Sequence, residues 1–458
     1  MAKFSGRLAT YPARALFFWY FALITVGTSI LLLPVCRGEH GPISVLDAAF
    51  TATSAVCVTG LTVRSTAHDF SFWGQLAIAG LIQVGGIGII TITTFVTLGF
   101  GRKQSLRQRI VIAETLGTRG GDLRGVLKQV FLVTAFIEGI GFVALWIPNL
   151  FDDQLTYLDG IWHAAFHSIA AFCNAGFALW DDNLMRYQTN VPVNLATCAL
   201  LILGGIGFPT ILDVRRNWRG TWWQRWDGLQ LHSKIMLLGT TALLVGGTAA
   251  FLALEWDNVL RDLSLGDRLL VSFFQATTPR TAGFNTVDMA ALTNPTLLII
   301  MMLMFVGAGP CSTGGGAKVS TVSVLALLAW SKFRGAARPH LYRRTIPEET
   351  TDRSVTTLLI FGLIAAAALT LLLLFDEPNL PHADSHGRFL DCSFEVVSAL
   401  GTVGLSTNTT TTLNAMERIV IILVMFIGRI GPISVMIALS RSERAPHFEY
   451  PKEEILIG

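Results

Sequence analysis

The tetrapeptides Val58-Thr59-Gly60-Leu61, Asn174-Ala175-Gly176-Phe177, Thr281-Ala282-Gly283-Phe284 and Thr402-Val403-Gly404-Leu405 decide the fold of this chain. Each one places a pair that contains Thr or Asn before a glycine and an apolar residue after it. The four glycines lie at intervals of 116, 107 and 121 residues. Because a fixed period indicates a repeat architecture, we expect four copies of one unit, each occupying about a quarter of the chain.

The composition places these copies in a membrane. The chain has 458 residues, of which 52% are hydrophobic and 14% charged, and its mean hydropathy is +0.55. Such values exclude an ordinary soluble globular protein. Apolar runs at 15–33, 131–147, 235–252 and 358–374 are long enough to cross a hydrocarbon core of roughly 30 Å as helices. The first run lacks the short core and cleavage site of a secretory signal, so we count it among these helices. The composition and the apolar runs together predict an all-α membrane protein.

The distribution of basic residues predicts the orientation. The two terminal tails and segments 102–128, 215–234 and 332–353 hold 24 of the 34 Lys and Arg residues, so they should face the cytoplasm. An even number of crossings must separate successive inside segments, and each quarter has room for two long helices. We therefore expect eight transmembrane helices and cytoplasmic termini.

Each quarter should consist of a helix, a re-entrant pore loop and a second helix. The four predicted tandem repeats cover residues 1–101, 102–214, 215–331 and 332–458, in a pseudo-fourfold arrangement. An Asp precedes each predicted short helix, where a carboxylate suits the positive end of the helix dipole: Asp47, Asp159, Asp267 and Asp391. Ordinary capping explains each Asp alone, whereas four at similar offsets support the repeat. The second helices are predicted at 72–98, 191–214, 296–330 and 418–439.

The glycine segments predict a cation selectivity filter. Short helices that enter from outside and end near mid-membrane direct their negative ends at the axis, where a cation is stabilised. The following segments can then turn backbone carbonyls inward to replace the water around an ion, and glycine permits the close approach. The predicted filter residues are Val58, Thr59, Gly60, Asn174, Ala175, Gly176, Thr281, Ala282, Gly283, Thr402, Val403 and Gly404. One such motif alone more often indicates helix packing.

The second helix of the third quarter contains a run that no straight helix favours, Gly307-Ala308-Gly309-Pro310-Cys311-Ser312-Thr313-Gly314-Gly315-Gly316. A phosphate-binding loop does not fit, because Gly315 stands where the lysine of that motif belongs and no strand precedes it. We interpret the run as an intramembrane gate, with a packing kink as the alternative. The predicted gate residues are Gly307, Gly309, Pro310, Ser312, Thr313, Gly314, Gly315, Gly316 and Lys318.

Two charged residues lie where charge is costly. Lys318 follows the gate run, and Arg429 lies within the last helix; each would cost about 2.5 to 3.5 kcal/mol at the centre of a lone helix. Near the ion path both would repel a cation, so we predict that Arg429 forms a pore barrier. The alternatives are that Lys318 extends to the cytoplasmic surface and that Arg429 pairs with helix carbonyls.

Together these segments resemble the Trk/Ktr/HKT superfamily of potassium transporters. The resemblance rests on the four loops, on the segments 280–286 and 312–318, and on Gly428-Arg429-Ile430-Gly431-Pro432, and it covers nearly the whole chain. Because the first loop directly follows the first helix, the chain is most similar to the Ktr-type (KtrB) membrane subunits. The resemblance implies bacterial K⁺ uptake through the plasma membrane, and glycine at position 60 rather than serine implies a preference for K⁺ over Na⁺.

The resemblance also implies partners. Members are homodimers with one pore per chain, seated on a cytoplasmic KtrA-like or TrkA-like ring that binds regulatory nucleotides such as ATP and ADP, and Na⁺ often activates them. The chain itself has no nucleotide-binding domain, so any nucleotide belongs to the partner. The ions expected in this chain are K⁺ in the filter and Na⁺ as an activator. Beyond these the lipid bilayer is the expected partner, with no nucleic acid.

Other functions fit less well. A carrier typically uses inverted repeats. Here basic segments flank every copy on both sides, so the copies should all run in the same direction. A membrane enzyme needs a convergent nucleophile or metal set, and none is apparent. His163 and His167 lie four residues apart near Cys173, but Ala164 replaces the glutamate of the zincin pattern, so we expect packing. The six cysteines do not form a secreted disulfide framework, and we expect free thiols.

Overall fold

The computed structural model describes residues 12–39, 41–99, 123–150, 155–336, 338–342, 344–376, 381, 385 and 387–431. The C-terminal tail, most of the basic segment 102–128 and the end of the predicted helix 418–439 lie outside these residues. Within them the chain forms fifteen α-helices and one two-residue hairpin. The all-α prediction is confirmed.

The first two quarters follow the predicted order of helix, short helix and helix. The first contains α1 (Pro12–Leu31), α2 (Val45–Cys57) and α3 (Phe72–Gly99). The second contains α4 (Leu123–Asn149), α5 (Tyr157–Phe172), α6 (Val191–Gly205) and α7 (Phe208–Arg216), followed by the short α8 (Trp222–Gly228).

The last two quarters repeat this order. The third contains α9 (Leu231–Leu254), α10 (Leu265–Thr277), α11 (Asn294–Phe305) and α12 (Val319–Phe333). A hairpin of β1 (His340–Leu341) and β2 (Arg344–Thr345), paired antiparallel, leads to the fourth quarter. That quarter contains α13 (Glu348–Phe375), α14 (Arg388–Gly401) and α15 (Ala415–Ile430).

The four quarters close into a ring. Within each quarter the short helix packs against its own first helix, and the second helix of each quarter packs against the short helix of the next: α3 against α5, α6 against α10, α11 against α14, and α15 against α2. The last of these contacts joins the end of the chain to its beginning. The apolar residue after each filter glycine is at most 1% exposed, at Leu61, Phe177, Phe284 and Leu405, so the loops are anchored in the core of this ring.

The structure corrects two details of the sequence analysis. The Asp residues do not precede the short helices but lie in their first turns, and in the first three the N-cap is a hydroxyl, of Ser44, Thr156 or Ser264, that accepts the Asp backbone N–H. The predicted helix 191–214 is also not continuous. It breaks between α6 and α7, which meet at 96°, because Gly207 adopts φ +97° and Pro209 follows.

Length and apolarity alone identify fewer than eight spans among the described residues. Three helices qualify singly, within α4, α9 and α13, and the bent pair α6–α7 makes a fourth. Shorter apolar stretches of 10–17 residues occur in α1, α2, α3, α11 and α12, and the gate run separates the last two.

Candidate functional site

The filter segments begin where the short helices end. In the first quarter the N–H of Thr59 donates to Ser54 O at 2.8 Å and the N–H of Val58 to Ala55 O at 3.1 Å, which is the Schellman pattern of helix termination. The same pair of bonds recurs in the second and fourth quarters, at 174–175 and 402–403. In the third, Ala282 N donates to Thr278 O instead. Each helix therefore delivers its chain to the filter in nearly the same way.

The residue two positions before each glycine is left-handed. Val58, Asn174, Thr281 and Thr402 have φ values of +56°, +59°, +68° and +50°, a conformation that is rare for β-branched side chains. The glycines themselves have φ between +68° and +96°. Such strained residues persist only where the surrounding structure determines them, and they cluster at functional sites. Four equivalent outliers indicate that the backbone of these segments, rather than their differing side chains, forms the site.

The four glycines meet as a closed ring. A Cβ added to Gly60 would lie 2.5 Å from Ala175 O and 2.9 Å from the Cα of Gly176. A Cβ on Gly176 would likewise meet Ala282 O, one on Gly283 would meet Val403 O, and one on Gly404 would overlap Thr59 O. Each glycine thus abuts the carbonyl of the middle filter residue in the next quarter, so the glycines and middle residues of the predicted filter are brought together in chain order around the ring.

A cavity of about 470 Å³ opens on one side of this ring. Its lining includes Gly60, Gly176 and Gly404 together with Asp69, Asp181 and Asp288, against one basic residue, Arg64. The lining segments follow the filter glycines in sequence. We call this cavity the vestibule. Its excess of carboxylates attracts cations to the ring, since fields focused in a cleft raise the local concentration of the opposite charge.

The gate run, here called the gate loop (Gly307–Gly316), lies against the opposite side of the ring. Gly315 N donates to Thr402 Oγ1 at 3.1 Å, and Thr313 Oγ1 donates to Phe172 O at 3.2 Å. A side chain on Gly314 would overlap Thr281 Oγ1. The loop therefore touches the first filter residue of two quarters and the end of α5 in another.

Both unusual cations bind carbonyls of this loop. Arg429 is 2% exposed; its Nη1 donates to Thr313 O and its Nη2 to Gly85 O of α3, the latter at 3.0 Å. Lys318 Nζ donates to Gly314 O at 2.7 Å and to Gly315 O at 3.3 Å. Three successive carbonyls are thus occupied by cationic groups of the protein.

The gate loop also binds to the end of α6 in the second quarter. The sequence analysis missed this contact. Thr313 N donates to Gly204 O at 3.2 Å and Gly309 N to Gly205 O at 2.8 Å. A recurring Gly-x-x-Gly spacing could have found this segment, since it occurs at 85–88, 204–207 and 428–431. The first glycine of each lies so close to the end of a short helix that a Cβ would overlap the carbonyl of Val56, Phe172 or Leu400.

The histidine pair has a packing role here. His167 Nδ1 contacts His163 O at 2.9 Å, and Leu179 N donates to His167 Nε2 at 3.3 Å. The His167 imidazole therefore holds the segment that follows the second filter glycine. No group of three metal-binding side chains occurs among the described residues. All six cysteines are free thiols.

Comparisons with known proteins agree with this architecture. A family model described as "TrkH: Cation transport protein" matches residues 20–449. The chain is 37% identical over 451 residues to the Ktr system potassium uptake protein B of Vibrio alginolyticus, covering 97% of this chain and 94% of the relative. It is 36% identical to the protein of that name from Bacillus subtilis, covering 98% and 97%. The crystal structure of the potassium transporter TrkH from Vibrio parahaemolyticus has the same fold, with a TM-score of 0.71 at 19% identity, over 93% of this chain and 83% of that one.

Proposed function

Because the chain belongs to the TrkH family of cation transport proteins and is not an enzyme, we propose that it takes K⁺ into the bacterial cell by gated diffusion. The observation that carries this proposal is the ring in which each filter glycine abuts the carbonyl of the next quarter. Such a ring provides carbonyl oxygens that replace the water around a cation. The acidic vestibule supplies the ions, and their electrochemical gradient drives transport.

The preference for K⁺ rests on the backbone of the ring. The middle filter residues Thr59, Ala175, Ala282 and Val403 are all fully buried and differ in side chain, so the shared element that an ion meets is the peptide carbonyl. Both accounts of K⁺ selectivity, cavity size and carbonyl field strength, depend on the spacing of these oxygens. Glycine at all four positions permits the close spacing that a side chain would prevent.

The gate loop closes the path on the side away from the vestibule. Arg429 and Lys318 stabilise the closed form because they bind the carbonyls of residues 313–315. Their charges also oppose a cation: two unit charges about 5 Å apart at an effective dielectric of 20 repel by roughly 3 kcal/mol. Opening requires that the loop leave Arg429 and the carbonyls of Gly204 and Gly205.

The names of the relatives extend this proposal to assembly. Both uptake proteins are named as components of a Ktr system. We propose a homodimer in the plasma (inner) membrane, with one pore per chain, cytoplasmic termini and a cytoplasmic KtrA-like or TrkA-like ring. ATP or ADP on that ring would move the gate loop, and Na⁺ would activate transport.

Ion flux into vesicles containing the purified protein tests the proposal. We expect K⁺ and Rb⁺ to enter much faster than Na⁺, with a further increase when a regulatory ring is added. Arg429→Gln should raise the flux measured without the ring, while Arg353→Gln on the exposed surface should not. Equal K⁺ and Na⁺ fluxes would reject the filter, and an Arg429→Gln flux equal to that of the parent would reject the gate.

A further inference from the structure

A tryptophan-rich connection joins the second quarter to the third. Residues 217–229, here called the tryptophan hairpin, contain Trp218, Trp222, Trp223 and Trp226. Their placement is fixed at both ends by the buried carboxylate of Asp213: its Oδ1 accepts from Asn217 Nδ2 and its Oδ2 from Gln230 N, each at 3.0 Å. The exposed rings are thus held by an ordered support.

The hairpin presents apolar surface of unusual size. Trp218, Trp222 and Trp223 are 63%, 71% and 75% exposed. Between the rings lies a cavity of about 210 Å³, lined by Trp218, Trp222, Trp226 and Leu229 of the hairpin and by Leu237 of α9. A protein surface rarely leaves such aromatic area uncovered unless it contacts a membrane or a partner.

The same connection is strongly basic. Arg215, Arg216 and Arg219 are exposed, Arg225 lines the cavity, and residues 214–226 contain no acidic side chain. Arg225 Nε donates to Gly220 O at 2.9 Å, and its guanidinium lies 5.0 Å from the Trp218 ring. Among the described residues, the two terminal amino groups of Arg225 have no hydrogen-bond partner, so they are available to an anion.

The hairpin lies on the gate side of the molecule. Helix α7 begins beside the gate loop, where a Cβ on Gly207 would lie 2.5 Å from Pro310 O, and the hairpin follows the other end of α7 directly. It therefore lies at the ends of membrane helices and away from the vestibule. Tryptophan favours this depth of a membrane, and clustered arginines attract anionic headgroups there.

We propose that the tryptophan hairpin binds an anionic phospholipid of the gate-side leaflet, with an acyl chain in the cavity and the phosphate beside Arg225 and Arg219. Charge complementarity selects this occupant: four arginines outnumber the two flanking carboxylates of Asp213 and Asp227 and match a phosphodiester, and the apolar cavity matches a hydrocarbon chain. The proposal is independent of which ion the filter selects.

Tryptophan fluorescence of the full chain in vesicles tests this site. Phosphatidylglycerol carrying brominated acyl chains is compared with equally brominated phosphatidylcholine. The quenching that is present in the parent protein but lost in the Trp222→Phe/Trp223→Phe variant is taken as the signal of the hairpin. We expect phosphatidylglycerol to quench this signal at lower mole fractions, and we expect Arg219→Gln/Arg225→Gln, which removes the two arginines beside the proposed phosphate, to abolish the difference. Each charge near an anionic surface contributes about 1 kcal/mol, or roughly fivefold in affinity, so two removals predict a loss of roughly 25-fold.

A matched variant separates a site from general attraction. Lys332→Gln/Arg353→Gln removes two exposed charges from the next basic segment and should leave the preference unchanged. Equal quenching by both lipids, or an equal loss in both double variants, would overturn the proposal. An Arg219→Gln/Arg225→Gln protein that keeps its lipid preference but no longer binds a soluble regulatory partner would also overturn it, because the surface would then be a protein contact.

Discussion

Replacing Gly404 with Ala is the most direct perturbation of the ring. Gly404 has φ +94°, and an added Cβ would overlap Thr59 O of the first quarter and approach the Cα of Gly60 to 2.9 Å. Both obstacles are backbone atoms, so a rotamer change cannot relieve them. The substitution must displace the contact through which the fourth quarter closes on the first.

The minimum effect follows from the backbone conformation. A left-handed residue with a side chain costs about 1 to 2 kcal/mol, before any energy of overlap is added. That energy corresponds to a factor of roughly 5 to 30 in the population of the native arrangement. We therefore expect the ratio of K⁺ to Na⁺ flux to fall about tenfold or more, with protein still present in the membrane.

The four glycines provide a graded series for the assay. An added Cβ lies closest to a neighbouring backbone atom at Gly404 and next closest at Gly283. The nearest backbone atom is 2.5 Å away at Gly60 and 3.0 Å away at Gly176, where the overlap is mildest. Flux ratios in vesicles, normalised to the amount of folded protein, should follow this order. Gly362→Ala is the control, because an added Cβ in the middle of α13 meets no atom within 4 Å.

Two results would refute this reasoning. A Gly404→Ala protein with the parent's flux ratio would show that the ring does not determine selectivity. A series in which Gly176→Ala is the most damaging change would show that contact with the neighbouring carbonyl is not the controlling variable.

Three further predictions concern the filter, the gate and the closure of the ring. Gly60→Ser should reduce discrimination of K⁺ from Na⁺, and unchanged relative uptake rates in a K⁺-deficient host would contradict the filter assignment. Shortening the loop across 309–316 should raise flux without a regulatory ring, and an unaltered flux would remove the gate. Arg418→Met breaks a 2.5 Å ion pair with Asp47, whose side chain is 3% exposed, so it should cost about 1.5 to 3 kcal/mol. Thermal unfolding in detergent should show this loss but little change for Arg353→Met, which removes an exposed pair worth about 0.3 to 0.5 kcal/mol.

The repeat was predictable because its signal was both periodic and chemical. The glycine intervals divided the chain, and the apolar runs flanking each glycine predicted helices that the structure contains. The gate run was equally visible, because Gly and Pro at 307–316 are incompatible with a continuous helix. These features depend on local backbone preference, which the sequence expresses directly.

The interactions within the site were not predictable in the same way. Left-handed backbone at Val58 or Thr402 opposes the intrinsic preference of a β-branched residue, and it occurs because a Schellman turn and the neighbouring quarter impose it. The break at Gly207 was missed because residues 191–214 are apolar enough to form one span. The partners of Arg429 come from α3 and the gate loop, which are distant in sequence, so its two candidate roles stayed open.

The break between α6 and α7 in the second quarter explains how the gate loop can be held beneath the ring. Helix α6 ends at Gly205, so its last carbonyls receive no hydrogen bonds from a following helical turn. The gate loop supplies two donors instead, because the N–H groups of Thr313 and Gly309 donate to the carbonyls of Gly204 and Gly205. Arg429 adds two further bonds, because it donates to the carbonyls of Gly85 within α3 and of Thr313 in the gate loop. The loop therefore exchanges hydrogen bonds with residues of the second and fourth quarters, and the proposed gating motion would require each of these bonds to break or to be replaced by bonds to water. In the proposed gating, departures from the fourfold repeat, rather than the repeat itself, thus set the energy of opening.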